Sequence, residues 1–435
     1  MKIRKVSTPV WMPTLNTNLA SNFLNREQLL REAVLLTFCD PLPEQYGRLA
    51  DLSVRRWHKL LQWLDVSGLT LYLLDRLVEL RRCNILPPGV LGRLQQNLHD
   101  NIGRTRGMAA ESVAIQQEFQ GAGLLYATLK GFSLCPGSVP KAELRHQFDL
   151  DFLVDEESAR EARQILERRG YRLYAISGRS WEFKISEKPV VSLDDLYKDS
   201  PGRAVELHIE AIDPGHSGLL SRIEWRDFHG IRMPVLSPVD LFLGQGLHVY
   251  KHVCGEFSRA AHLLEFRRHV LLRRDDVRFW DELRSVAEEN PRAVLGLGVA
   301  TQLITRAMGD FAPEALTSWT VNHLPRSARL WIDLYGRRVV FDNFPGSKLY
   351  LLLQNELDSI GVPAKRSLGQ ALLPRKLPPA VIRASARETL SMRIGRYRLQ
   401  LSFMLGRLRF HIVEGVRYTW ESYRWRQNMN RRPIR

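Results

Sequence analysis

Two aspartates, Asp149 and Asp151, stand two residues apart in the apolar run Phe148-Asp-Leu-Asp-Phe-Leu-Val154. In a strand, residues with that spacing project from the same face. Asp149 and Asp151 then point together, while Leu150 and Phe152 enter packing. Carboxylates held so close repel, and one keeps its proton unless a cation intervenes. Mg²⁺ suits the pair best, because it takes oxygen ligands and commonly sits on one or two carboxylates plus substrate phosphates. Upstream, Thr128-Leu-Lys-Gly-Phe-Ser133 closes an apolar segment at Lys130-Gly131. Glycine lets backbone approach a ligand closely, and a lysine meets phosphate as a point charge. Downstream, Ala204-Val-Glu206-Leu-His208-Ile209 alternates again, with Glu206 and His208 on one face and Val205, Leu207 and Ile209 on the other.

An Asp-x-Asp by itself is common at exposed strand ends, so its weight comes from the elements around it. Residues 124–129 read as a buried strand ending at the Lys-Gly turn. Residues 155–170 read as a helix, capped by Asp155 or Ser158, with Ala159, Ala162, Ile165 and Leu166 on its apolar face and Gly170 at its end. Residues 171–176 and 181–185 read as strands joined by Ser177-Gly-Arg-Ser180, and Val190 and Val191 are candidates to extend the sheet. Asp194-Asp195 reads as a solvated turn rather than a second acidic site. The resulting order is strand, glycine turn, strand with paired acids, helix, and a later strand bearing a third acid.

This set of residues resembles a known family. Leu129-Lys-Gly131, then Arg145 four residues before Asp149-x-Asp151-x-Leu-Val154, then a helix ending in Gly170-Tyr171, then Glu206-Leu-His208, is similar to the uncharacterised bacterial nucleotidyltransferases, a branch of the polymerase-β-like superfamily. The resemblance is strongest over 94–270 and looser over 25–355. It implies an α+β fold, with a mixed β-sheet core flanked by helical N-terminal and C-terminal regions. It implies that Asp149, Asp151 and Glu206 are catalytic and hold Mg²⁺, and that an NTP is the donor and a hydroxyl the acceptor. It also implies that Lys130 and Gly131 position phosphate. Ser133 and Arg145 join them as nucleotide-binding candidates, although an acid partner for Arg145 fits its surroundings equally well. Many relatives carry Gly-Gly or Gly-Ser at the turn, whereas Phe132 follows Gly131 here. Many also carry Asp where this chain has Glu206. His208 is either a support behind the metal ligands or a satisfied core group.

Composition bounds the alternatives. At 435 residues, 44% apolar and 25% charged, the chain can bury one large core or several smaller ones. A formal charge of +16 favours anionic partners. Four scattered cysteines without a C-x-x-C argue against a disulfide framework or a zinc site and suit a reducing cytoplasm. No apolar run is long enough to span a membrane, and the N-terminus lacks the apolar core of a secretory signal. The chain divides into a flexible arm (1–24), a helical region (25–121), the α/β core (122–235), a second helical region (236–360), a linker (361–380) and a basic tail (381–435). In the second helical region, His248 and His252 have the i, i+4 spacing that can bind zinc. Val249 rather than Glu follows His248, however, so a polar wall or plain packing is the reading adopted for them.

The tail carries thirteen Arg against three Glu from Arg383 onward. Leu390, Ile394, Tyr397, Leu401, Met404 and Leu408 recur at helical spacing among Arg393, Arg396, Arg407 and Arg409, which describes a basic amphipathic helix. Such a helix lies on an anionic membrane surface, pairs with nucleic acid, or packs on the body with a solvated Arg face. Three functional readings follow: an active nucleotidyltransferase, a nucleotide binder without turnover, and a membrane- or nucleic-acid-associated protein dominated by its tail. The expected location is cytoplasmic, peripheral to the membrane if the tail binds lipid.

Overall fold

The computed structural model describes residues 24–50, 52–185, 195–199, 203–210, 218–359, 368–372 and 389–430. The arm over 1–23, Val190, Val191, Asp194 and most of the 361–380 linker lie outside the described residues.

Four helices come first: α1 (Arg26–Leu36), α2 (Val54–Ser67), α3 (Thr70–Glu79) and α4 (Pro88–Gly121). Asn25 and Gln28 close a reciprocal capping box on α1, and Gly68, with φ 79°, ends α2. The last of the four is a single helix of 34 residues. Pro88 sits in its first turn, where a missing N–H costs nothing.

Among the described residues, seven strands form one mixed sheet: β1 (Tyr126–Leu129), β2 (Asp149–Val154), β3 (Arg172–Ser177), β4 (Ser180–Lys184), β5 (Ala204–Ile209), β6 (Glu224–Phe228) and β7 (Ile231–Val235). Their order is β3-β4-β5-β2-β1-β7-β6. β2 is central, antiparallel to β1 and parallel to β5. Helix α5 (Glu156–Arg168) follows β2, capped by the Asp155 side chain on Ser158 N. The β6–β7 hairpin was not expected from the sequence. Charged residues and Pro234 interrupt its apolar alternation, and its signal lies in the turn His229-Gly230, where both residues have positive φ (47° and 87°).

The two faces of the sheet differ. Leu150, Phe152, Val154, Val205 and Leu207 pack with Ile115 and Phe119 of α4 and with Ala162, Ile165 and Leu166 of α5. The other face carries Asp149, Asp151, Glu206 and His208, and its apolar part (Leu153 with Ala127) meets Leu236 and Leu241. Leu241 opens the second helical region, built from α6 (Pro238–Val253), α7 (Ala260–Leu272), α8 (Val277–Glu288), α9 (Pro291–Met308) and shorter helices up to Tyr350–Ser359. Pro291 opens α9 and separates it from α8. One hydrophobic core joins this region to the N-terminal helices. Arg31 donates to Phe341 O at 2.8 Å, and Trp63 Nε1 donates to Asp342 O at 3.1 Å.

Within the expected linker, Leu368–Leu372 forms a short helix. Ala371 is buried, and Lys348 Nζ donates to Leu372 O at 2.7 Å. The tail is one helix, Leu390–Asn430. Its second half docks through buried Glu414, Tyr418, Glu421 and Trp425, one turn apart along a single face. Glu414 accepts from Ser347 Oγ at 3.0 Å and from Lys348 N at 3.1 Å, and Glu421 accepts from the Tyr335 hydroxyl at 3.2 Å. The first half leaves Leu390, Ile394, Tyr397, Leu401 and Leu408 exposed. Among the described residues, no helix is long and apolar enough to cross a membrane.

Phe152 is fully buried, with edge-on aromatic contacts to Phe119 and Tyr126 at centroid distances of 5.5 and 6.2 Å. Phe152→Ala is expected to lower the unfolding free energy by about 3–5 kcal/mol, the range for emptying a buried aromatic position. Urea denaturation measures this directly. A loss under about 1 kcal/mol would mean that the sheet and α4 do not share this core.

Candidate active site at the centre of the sheet

Asp151 lies at the middle of the site and is 3% exposed. Strand register brings its neighbours in: Leu129 of β1 stands opposite Asp151 on one side, and Glu206 of β5 stands opposite it on the other. Lys130 follows Leu129 directly, in a backbone conformation (φ 49°) that side-chain-bearing residues seldom adopt. Strain of this kind persists where the surroundings enforce it. Here the turn carries Lys130 Nζ back over β2, 2.7 Å from Asp151 Oδ1. His208 Nε2 reaches the same oxygen at 2.9 Å and lies 3.5 Å from Glu206 Oε2. The Ser180 hydroxyl, opposite His208 in the β4–β5 register, donates to Glu206 Oε1. One ligand atom each from Asp151, Glu206 and His208 lies within 4.8 Å of the others.

These contacts set the protonation of the site. Burial, reinforced by repulsion from Asp151, pushes the Asp149 carboxyl up to about 6, against the pull of Lys130 and Arg145. The hydrogen bond to His208 comes first among the causes that hold Glu206 well below the usual carboxylate range, and Ser180 adds to it. Burial disfavours the His208 imidazolium, yet its bonds to Asp151 and Glu206 outweigh that and lift it to about 8. Burial likewise opposes the Lys130 charge, and adjacent Asp151 more than restores it. The sequence-level conflict between two carboxylates is thus resolved asymmetrically. Asp151 is neutralised by two cationic side chains, and Asp149 carries the cost.

The remaining sequence candidates divide. Gly131, φ 43°, is closed over by Gln147, whose side-chain amide a Cβ at this position would strike. Gln147 Nε2 in turn donates to Asp149 O at 2.7 Å. Ser133 is fully buried and spends its hydroxyl on Lys130 O at 2.8 Å, which braces the turn from within. Arg145 pairs with Glu265 of α7 at 3.2 Å, and Glu265 also accepts from the Tyr72 hydroxyl at 2.9 Å. Arg145, Lys130, Leu153, His248, His262 and Glu265 line a cavity of about 340 Å³ beside the acidic face, within the range of small-molecule sites. Sequence reasoning missed Ser180 and Gln147, because each acts only through strand register or turn geometry.

A family model described as an uncharacterised nucleotidyltransferase matches residues 53–303, more than half of the chain. The chain belongs to that family. The match spans α2 to α9, so it takes in the sheet, the acidic face and the cavity wall, and it identifies a nucleotidyltransferase-like domain of the polymerase-β superfamily. No curated protein matches the chain. A solved antigenic nucleotidyltransferase-like protein from Paracoccidioides brasiliensis is 13% identical over 50% of this chain and 97% of its own, with a TM-score of 0.29. At that score the likeness carries no argument.

The raised Asp149 carboxyl makes a signed statement about stability. A buried acid with a raised pKa favours the native state only while protonated, so its ionisation weakens the fold as pH rises from the unfolded value near 3.8 through about 6. Asp149→Asn is therefore expected to raise the melting temperature of metal-free protein at pH 7.5. The gain should shrink steadily as pH falls from 6 towards 4. Melts recorded across that range check it, and a gain that grows on acidification would contradict the assignment.

Proposed function

We propose that the protein is a Mg²⁺-dependent nucleotidyltransferase that moves a nucleoside monophosphate from an NTP to an acceptor hydroxyl, releasing pyrophosphate. The observation that carries this reading is the gathering of Asp149, Asp151 and Glu206 on one face of the adjacent strands β2 and β5, with Lys130 reaching over from the end of β1. Membership of a nucleotidyltransferase family supports the class of chemistry. Three carboxylates offer the oxygen donors that a hard cation requires, so the residues fit Mg²⁺. Asp149, Asp151 and Glu206 would hold the ion, which supplies charge neutralisation to the triphosphate when bound.

The chain's own residues divide the remaining work. Lys130 is salt-bridged to Asp151 and stands at the cavity wall, from where it can turn to a phosphate oxygen. Gly131 keeps the backbone close at the same turn. A carboxylate held as low as Glu206 is a poor base near neutral pH, so its part is that of a ligand. His208 donates to Asp151 and Glu206 and fixes their orientation, as partners behind a metal site commonly do.

The basic tail adds a second element. Its first half presents Leu390, Ile394, Tyr397, Leu401 and Leu408 to solvent beside exposed Arg398 and Arg409. Apolar side chains interleaved with arginine match an anionic bilayer surface. This half of the helix is the segment we assign to peripheral membrane contact.

Two measurements test these readings. Calorimetric titration of each NTP with Mg²⁺ is expected to show metal-dependent binding to the wild type and none to Asp149→Asn/Asp151→Asn. Equal binding by both, or none by either, would sink the catalytic reading. For the tail, co-sedimentation with phosphatidylserine-containing vesicles is expected, with several-fold loss in Ile394→Glu/Leu401→Glu/Leu408→Glu and little binding to neutral vesicles. Indifference to the triple substitution would rule out this half of the helix as the lipid contact.

A further inference from the structure

Helices α6 and α7 bring three histidines together, two of them, His248 and His262, on the wall of the cavity. His248 and His252 lie one turn apart on α6, and His262 projects from the first turn of α7. Their ring centroids are 4.6, 4.7 and 4.7 Å apart, and one nitrogen from each ring lies within 4.8 Å of the others. The sequence pointed to the first two only, since nine residues and a helix break separate the third from His252. His262 is 6% exposed, and its Nδ1 is buried without a hydrogen-bond partner. A buried polar atom left unpaired costs free energy and calls for an explanation.

We propose that His248, His252 and His262 form a second metal site that takes a borderline divalent transition ion, zinc foremost, with a cavity-side water as the fourth ligand. Imidazole suits zinc and its neighbours rather than magnesium, so this site and the carboxylate face select different ions. Tetrahedral Zn–N bonds of about 2.0–2.1 Å place ligand nitrogens about 3.4 Å apart. Binding would draw the three nitrogens together from their present separations of up to 4.8 Å. Imidazole binds metal in its neutral form, and burial, with the neighbouring charges, keeps all three rings neutral: His248 is pushed down to about 2 and His252 to about 4, and His262 is lowered as well. Lys130, Lys251, Arg145 and Arg259 are the nearby cations that act on these rings. Their charge opposes a bound dication. His248 and His262 line the same cavity as Lys130 and Arg145, so an ion here would offer its open position to an anionic ligand. The inference rests on the histidine geometry and does not depend on nucleotidyl transfer.

The test uses full-length protein stripped with chelator, then dialysed against zinc or cobalt. The wild type is expected to retain one equivalent of zinc that His248→Ala/His252→Ala loses and Asp151→Asn/Glu206→Gln keeps, with melting curves confirming that each variant is folded. Cobalt in the wild type is expected to give the intense visible absorption of a tetrahedral nitrogen-rich site. That readout needs no variant, and His262→Gln is expected to abolish it. Zinc retention unchanged in the α6 double variant, an equivalent lost with the carboxylates instead, or no tetrahedral cobalt spectrum in the wild type would each overturn the proposal. The three rings would then be packed polar neighbours.

Discussion

A carboxylate placed at the centre of a sheet must be compensated, and that requirement shapes the site around Asp151. Burial makes an uncompensated charge there untenable. Lys130 and His208 supply the compensation from opposite sides, one from the end of β1 and the other from β5. Each depends on a specific local arrangement. Lys130 needs the positive-φ turn with Gly131, and His208 needs the parallel β2–β5 register that sets Glu206 beside Asp151. Because both cations are directed at Asp151, the neighbouring Asp149 is left at the edge of ionisation. The pair is therefore poised to respond to an incoming positive charge rather than satisfied on its own.

The segment that leads into β2 is held just as firmly. Arg104 of α4 donates to Gln147 O at 3.0 and 2.8 Å and to Leu196 O and Lys198 O at 3.2 Å each. Asn101, one turn earlier, donates to Glu143 O at 2.7 Å. These bonds tie α4 to the backbone immediately before Asp149. Tyr72, Arg145 and Glu265 make a second brace across the cavity wall. The N-terminal helices thus shape the site through backbone and side-chain hydrogen bonds, although they contribute none of the acids.

Much of this was legible in the sequence because it rests on local periodicity. The alternation in 149–154 and 204–209 placed Asp149, Asp151, Glu206 and His208 on one face without knowledge of pairing, and the cap and terminal glycine marked α5. What escaped depends on contacts distant in sequence. Ser180 reaches Glu206 only through the β4–β5 register, and His262 meets His248 only because two helices cross. The β6–β7 hairpin carries too many charged residues to alternate cleanly. Arg145 left two readings open from sequence, and Glu265, 120 residues away, is its acid partner in the fold.

The shared core of the two helical regions has a consequence for the growing chain. Helix α1 relies on residues near 337–342, where Arg31 finds Phe341 O and Glu32 finds Arg337. The docked half of the terminal helix closes over Tyr335, Ser347 and Lys348. On the ribosome every described strand of the sheet has been made once residue 235 has emerged. The first helices must then wait, with apolar faces uncovered, for some hundred further residues. Domains generally fold as units in order of synthesis, but here the middle of the chain can close before its beginning. The interval between those events is when the nascent protein is most exposed to aggregation, and when a chaperone has the most to hold.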